Sequence, residues 1–116
     1  MKPVSEAGCV GSAGLPRLLG LLSAAWMLHV LCVLHYNGPT RFGEIRRRLG
    51  SVSTKTVTER LRSLESEGLV SRHYEPTVPP QVTYSLTEKM AELRPVLAEL
   101  DRIARKWYGS DGDCGA

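Results

Sequence analysis

Apolar residues along this chain change their spacing from block to block, and each spacing predicts an element. Leu18 to Leu34 (LLGLLSAAWMLHVLCVL) is a seventeen-residue, largely apolar run interrupted by His29. It predicts a core helix dry on more than one face, able to meet both its own domain and a second subunit. Asn37-Gly38-Pro39 ends that helix, because a residue tolerant of the left-handed region is followed by one that cannot continue a helix. Thr40 opens a second helix, in which Phe42, Ile45 and Leu49 recur at i, i+3 and i+7 while Arg41, Glu44, Arg47 and Arg48 project away. Gly50 closes it. Ser53 is the N-cap of a third helix that runs to Glu67, with Val57, Leu61 and Leu64 at i, i+4 and i+7 as its buried stripe.

Past Gly68 the period falls to two. LVSRHYE is strand-like, PTVPP is a loop whose prolines cannot donate ladder hydrogen bonds, and QVTYSL alternates Val82, Tyr84 and Leu86 on one face, which predicts a β-hairpin. The last block returns to a helical period. Leu86, Met90, Leu93, Leu97, Leu100, Ala104 and Trp107 follow a 4-3 spacing widened by Val96 and Ile103, a heptad stripe in which Pro95 should kink the helix or restart it. Helix, two short helices joined by a tight turn, and hairpin, in that order, make a mainly α winged helix-turn-helix. The N- and C-terminal helices offer more apolar surface than one small core needs. They are expected to form a homodimer through Leu93, Val96, Leu97, Leu100, Ile103, Trp107 and Trp26.

Composition narrows this picture. With 116 residues, 42% hydrophobic and 23% charged, the chain is one ordinary globular domain, expected over residues 15–108 between a flexible segment 1–14 and a flexible tail 109–116. The apolar run sits at the lower end of the ~17–25 residues that span a bilayer, and no small-residue cleavage site follows it, so no membrane association is expected. Three cysteines, Cys9, Cys32 and Cys114, form no CxxC pair and have no close Cys/His spacing, which excludes a disulfide framework and a zinc site. A reducing, cytoplasmic location fits.

Net charge is +3, and its placement matters more than its size: residues 41–72 carry eight Arg/Lys against four Glu, and the remainder is nearly balanced. A local basic excess is the footprint of a nucleic-acid face. On the third helix, the face opposite Val57, Leu61 and Leu64 holds Lys55, Glu59 and Arg62, flanked by Thr56 and Thr58. Together with Ser53 and Thr54 at its start, these are the residues a helix would present to base edges of double-stranded DNA. Lys55 can donate to guanine, and Glu59 can accept from cytosine or orient Lys55. Arg41 and Arg47 on the second helix and Arg72 on the first hairpin strand are candidates for phosphate. Arg60, at the edge of the stripe, is expected to pack its stem on the core and pair with an acid. No phosphate loop, HExxH or GxSxG is present, and His29, His35 and His73 lack acids at helical spacing, so enzyme function, a cofactor and a metal are not expected.

These residues resemble the HxlR-type winged helix-turn-helix transcriptional regulators of bacteria and archaea. The resemblance spans about Leu19 to Trp107 and is carried by WxxxxL (Trp26–Leu31), NGPTRFGEIRRRL (Asn37–Leu49), SxKxVTERLRSLExEGLV (Ser53–Val70), YEPTVPPQVTYSLT (Tyr74–Thr87) and LRPVLAEL (Leu93–Leu100). It implies a homodimer on an inverted-repeat operator, acting as repressor or activator on nearby genes, in some members in response to electrophiles or oxidants. Two departures stand out. Where such regulators often carry a Cys-Pro pair thirteen residues before the tryptophan, this chain has Ala13, and the nearest thiol is Cys9, followed by Val10. Redox sensitivity, if present, is therefore assigned to Cys9, with Cys32 expected as a buried hydrophobe and Cys114 in the acidic tail. Gln81 stands where a basic wing residue is common, which keeps open a second reading, a winged-helix module that binds protein rather than DNA. The operator, the controlled genes and any effector are not written in the sequence.

Overall fold

The computed structural model describes residues 11–109. The apolar run does not form one helix. It is divided into α1 (Leu15–Leu22) and α2 (Met27–Asn37), set at 82° to each other across a four-residue break. Within the break the Ser23 amide still reaches back to the Leu19 carbonyl (2.8 Å) and its hydroxyl to the Gly20 carbonyl (3.3 Å), while Trp26 turns left-handed at φ 69°. That conformation costs a residue with a Cβ roughly 1–2 kcal/mol. The bend repays it by burying two differently directed surfaces. Met27, Val30, Leu31 and Leu34 of α2 are at most 1% exposed, and Leu21, Leu22 and Ala24 fold back to cover the same core, although α1 itself has no fully buried residue. Among the described residues no single helix is long and apolar enough to cross a membrane.

Gly38 at φ 79° ends α2 as the sequence predicts, its amide donating to the Leu34 carbonyl at 3.0 Å. Thr40, however, does not open a helix. It lies in a two-residue strand, β1 (Thr40–Arg41), with its hydroxyl buried between the Gly38 carbonyl, to which it donates (2.6 Å), and the Asn37 amide, from which it accepts (2.8 Å). Helix α3 (Phe42–Leu49) then starts from Arg41 as N-cap and stops at Gly50, and α4 (Thr54–Ser66) follows from Ser53. Strands β2 (Val70–Glu75) and β3 (Gln81–Leu86) pair antiparallel in six-residue register, Val70 opposite Leu86 and Glu75 opposite Gln81, with the Ser71 and Ser85 hydroxyls 3.0 Å apart across the ladder. β1 adds to the other side of β3, Thr40 opposite Tyr84, so the wing is a three-stranded sheet in the order β1-β3-β2.

The C-terminal heptad stripe is also interrupted. Leu86 ends β3, Met90 lies in a 3₁₀ turn (Glu88–Glu92), and the helix proper, α5 (Arg94–Tyr108), restarts with Pro95 in its first turn, where the missing amide costs nothing. Thr87 and Lys89 fasten this junction to the end of α4: the Thr87 amide donates to the Leu69 carbonyl (3.0 Å) and Lys89 Nζ to the Glu67 carbonyl (2.9 Å). Arg94 reaches His35 Nδ1 at 3.2 Å, tying α5 to α2. A single apolar cluster joins α2, α3, α4, β2 and α5, with Ile45, Val57, Leu61, Leu64 and Met90 at 0–1% exposure. Each such side chain contributes about 1.5–3 kcal/mol relative to its exposed state.

Candidate nucleic-acid interface

Helix α4 is built to hold one face against the core and leave the other uncovered. The Ser53 hydroxyl accepts the Thr56 amide at 3.1 Å and donates to the Thr56 hydroxyl at 3.0 Å, so the first turn is closed by its own side chains. Both hydroxyls are thus engaged in the cap. Thr56 retains its own proton for an outside acceptor. Val57, Leu61 and Leu64 are buried, whereas Ser53, Thr54, Lys55, Glu59 and Arg62 are exposed and Thr56 and Thr58 are half-buried at the flanks. Neither Lys55 nor Arg62 has an ion-pair partner among the described residues, and with Glu59 between them the outer face carries two cations and one acid.

Arg60 departs from expectation. Its partner is no acid: Nε donates to the Ala25 carbonyl at 2.6 Å, inside the break between α1 and α2. The helix break exposes a carbonyl that a continuous helix would have used, and a guanidinium at the edge of α4 satisfies it.

On α3 the basic run divides by geometry. Glu44 takes Arg47 at i+3 and Arg48 at i+4: Arg47 Nε donates to Oε1 at 2.9 Å, its second nitrogen to Oε2, and Arg48 Nε to Oε2 at 2.8 Å. The Arg47 hydrogen bonds, with Arg48 adding to them, pull the Glu44 carboxyl down to a pKa of about 2, and the same contact raises that of Arg47. Arg47 is accordingly committed to Glu44 before any outside anion arrives. Arg46 is not among the candidates that the apolar stripe of this helix singles out. It is exposed, has no partner among the described residues, and sits two residues from Glu44, a spacing at which helix side chains do not meet. That spacing could have singled it out. Arg41 at the start of α3 and Arg72 on β2 are exposed as well.

The C-terminal stripe separates into two populations. Leu97 is 4% exposed and packs in the protein's own core, and Leu93 is half-buried beside it. A heptad period identifies an apolar face without saying whose core it enters. Val96 (49%), Leu100 (50%) and Trp107 (69%) remain uncovered, Ile103 is half-buried, and Trp26 is 38% exposed at the helix break. An apolar groove of about 310 Å³ runs between α1 and α5, lined by Leu19, Leu22, Leu28, Val96 and Leu100 among others. Cys32 is not the buried hydrophobe expected; it is partly exposed on the wall of a second cavity. Cys9 and Cys114 lie outside the described residues.

A capped helix with an exposed polar face, set between a preceding helix and a three-stranded wing, has the architecture of the winged helix-turn-helix transcriptional regulators. The HxlR-like helix-turn-helix family model matches residues 21–111, and the chain belongs to that family. It is 42% identical over 82 residues to an uncharacterized HTH-type transcriptional regulator of Halalkalibacterium halodurans, covering 71% of this chain and 73% of that one. Among solved structures it is similar to the reduced form of the transcriptional regulator YodB from B. subtilis (33% identity, TM-score 0.71, 90% of this chain and all of that one). It is also similar to the redox regulator HypR in its oxidized form (29% identity, TM-score 0.70, 81% of this chain and 96% of that one).

Proposed function

We propose that this protein regulates transcription by binding double-stranded DNA as a homodimer on an inverted-repeat operator, with α4 in the major groove and the wing beside it. The observation that carries the reading is the exposed Lys55–Glu59–Arg62 face of α4, unpaired and opposite a fully buried stripe. Lys55, near the N-terminal end, is the first side chain to reach base edges, with Thr54, Thr56, Thr58, Glu59 and Arg62 extending the contact. Arg41, Arg46 and Arg72 supply phosphate contacts, and Arg47 contributes only after release from Glu44.

Two features support the dimer. Val96, Leu100 and Trp107 are exposed on α5, and the α1–α5 groove beside them is almost wholly apolar. A two-fold pair would cover these surfaces and would match a palindromic site. Fragments of the host genome bound by the protein would define the operator, and a gel shift on that operator at two salt concentrations tests the reading. Phosphate-driven binding weakens steeply with salt, by a log-log slope of roughly −0.9 per neutralised phosphate. Absence of any specific shift would favour a protein-binding winged helix instead.

The likeness to YodB and HypR, solved in reduced or oxidized forms, supports a redox-responsive version of this regulator. Cys9 is the thiol assigned to that role. Operator binding by the parent and by Cys9→Ser, before and after diamide, tests it: loss of binding in the parent alone supports the assignment, and an equal response in both removes it.

A further inference from the structure

Glu59 occupies the middle of the outward face of α4, one turn after Lys55 and one turn before Arg62. Side chains three or four residues apart on a helix can meet. Where an acid elsewhere on the described helices has an arginine that far ahead of it, the two are joined: Glu44 holds Arg47 and Arg48, Glu99 holds Arg102, and Asp101 lies 3.4 Å from Arg105. Glu59 has Arg62 at the same spacing and does not take it. The carboxylate is exposed, and it makes no ion pair or hydrogen bond with Arg62, with Lys55 or with any other described residue. The sequence leaves Glu59 two roles, accepting from cytosine or orienting Lys55, and the structure contains no contact through which it would perform the second.

An unpaired carboxylate on a surface that meets DNA selects by repulsion as well as by attraction. Phosphates repel it. In the major groove it is opposed by the acceptors of guanine, N7 and O6, and by O4 of thymine. Adenine offers an amino group, but with the N7 acceptor beside it. Cytosine alone presents a donor, its N4 amino group, with no acceptor on its own major-groove edge.

We propose that Glu59 is a specificity-determining residue, which fixes one base pair of each operator half-site by accepting a hydrogen bond from the N4 amino group of a cytosine. The inference rests on the reading of α4 as the helix that enters the major groove.

Selection from a randomised duplex library, followed by sequencing of the bound fraction, tests it with the parent, Glu59→Ala and Lys55→Ala. Both substituted side chains are exposed and unpaired, so neither variant should lose its fold. The parent's sites should carry cytosine at one position of each half-site. Glu59→Ala should lose that preference, by roughly fivefold or more, and keep the others, while Lys55→Ala should lose its preference at a different base pair. In the selected site, replacing that cytosine by the 2-pyrimidinone nucleotide removes only the amino group. This should weaken the parent severalfold in fluorescence anisotropy and leave Glu59→Ala unchanged. A Glu59→Ala protein with the parent's preference at every position would overturn the proposal. Loss of preference at the same base pair in both variants would overturn it too, because Glu59 would then act through Lys55. A parent that enriches no sequence would fail the reading of α4 itself, and this inference with it.

Discussion

Arg60 of α4 and the Ala25 carbonyl, 35 residues apart in sequence, meet at 2.6 Å across the break between α1 and α2. The bond links α4 to the point where the N-terminal helices change direction, beside the left-handed Trp26. Hydrogen bonds from charged donors contribute about 1.5–3 kcal/mol when the acceptor has no substitute. The partial exposure of Arg60 reduces that, because water can replace the guanidinium. Arg60→Ala is expected to lower unfolding free energy by about 1–2 kcal/mol, and Arg60→Lys by less. Urea unfolding measures this; an unchanged midpoint in Arg60→Ala would mean that the break is held by packing alone.

On α4, Lys55→Ala and Arg62→Ala are expected to reduce operator affinity by roughly 1–3 kcal/mol each if the side chain makes a bidentate base contact, and less for phosphate contact alone. Their melting temperatures should match the parent's, since both are exposed and unpaired. Fluorescence anisotropy on the selected operator provides the readout. Parent-like binding by both variants would remove α4 from the DNA interface.

Leu97 and Leu100 are three residues apart on α5, yet they should behave in opposite ways. Leu97 is 4% exposed, and Leu97→Ala should destabilise the fold by about 2–5 kcal/mol, the usual cost of a buried leucine cavity. Leu100 is 50% exposed, so Leu100→Glu should leave the single-chain fold intact and shift the protein toward monomer. Light scattering and circular dichroism together separate the two effects. A Leu100→Glu protein of unchanged dimer mass would place the interface elsewhere.

The contrast between those two leucines shows how far periodicity reaches. Helices α3 and α4, the Ser53 cap, the Gly38 and Gly50 stops and the β2–β3 hairpin were legible because each rests on a local spacing or a single punctuating residue. The bend at Ser23–Trp26 was not, because the run is apolar on both sides of it and its partner, Arg60, is distant in sequence. Strand β1 escaped for a different reason: two residues carry no period, and Thr40 shows its role only through Tyr84 opposite it. Of the candidate DNA face, the α4 positions followed from the stripe on the far side. The ranking of Arg46 above Arg47 required asking which arginine Glu44 can reach.

Glu44 itself supplies the last prediction. Its carboxyl is held at about 2 in the folded protein, chiefly by the Arg47 hydrogen bonds, against an ordinary value of 4.5. A depressed folded value means that the contribution to stability is fully present above the unfolded pKa and is lost as pH falls from about 4.5 through about 2. The pair is solvent-exposed, so the effect on stability is small. Glu44→Gln should flatten that acid limb of the stability curve relative to the parent and leave stability near pH 7 almost unchanged. The same substitution releases Arg47 and Arg48 from their acid, on a helix that in the proposed complex crosses the DNA backbone. Non-specific DNA binding should then tighten and its salt dependence steepen by up to about two phosphate equivalents, while Arg46→Ala should make it shallower by about one. Salt titrations of the three proteins on an unrelated duplex measure both slopes. If Glu44→Gln leaves the slope where it was, Arg47 and Arg48 point away from the DNA and the basic character of α3 reduces to Arg41 and Arg46.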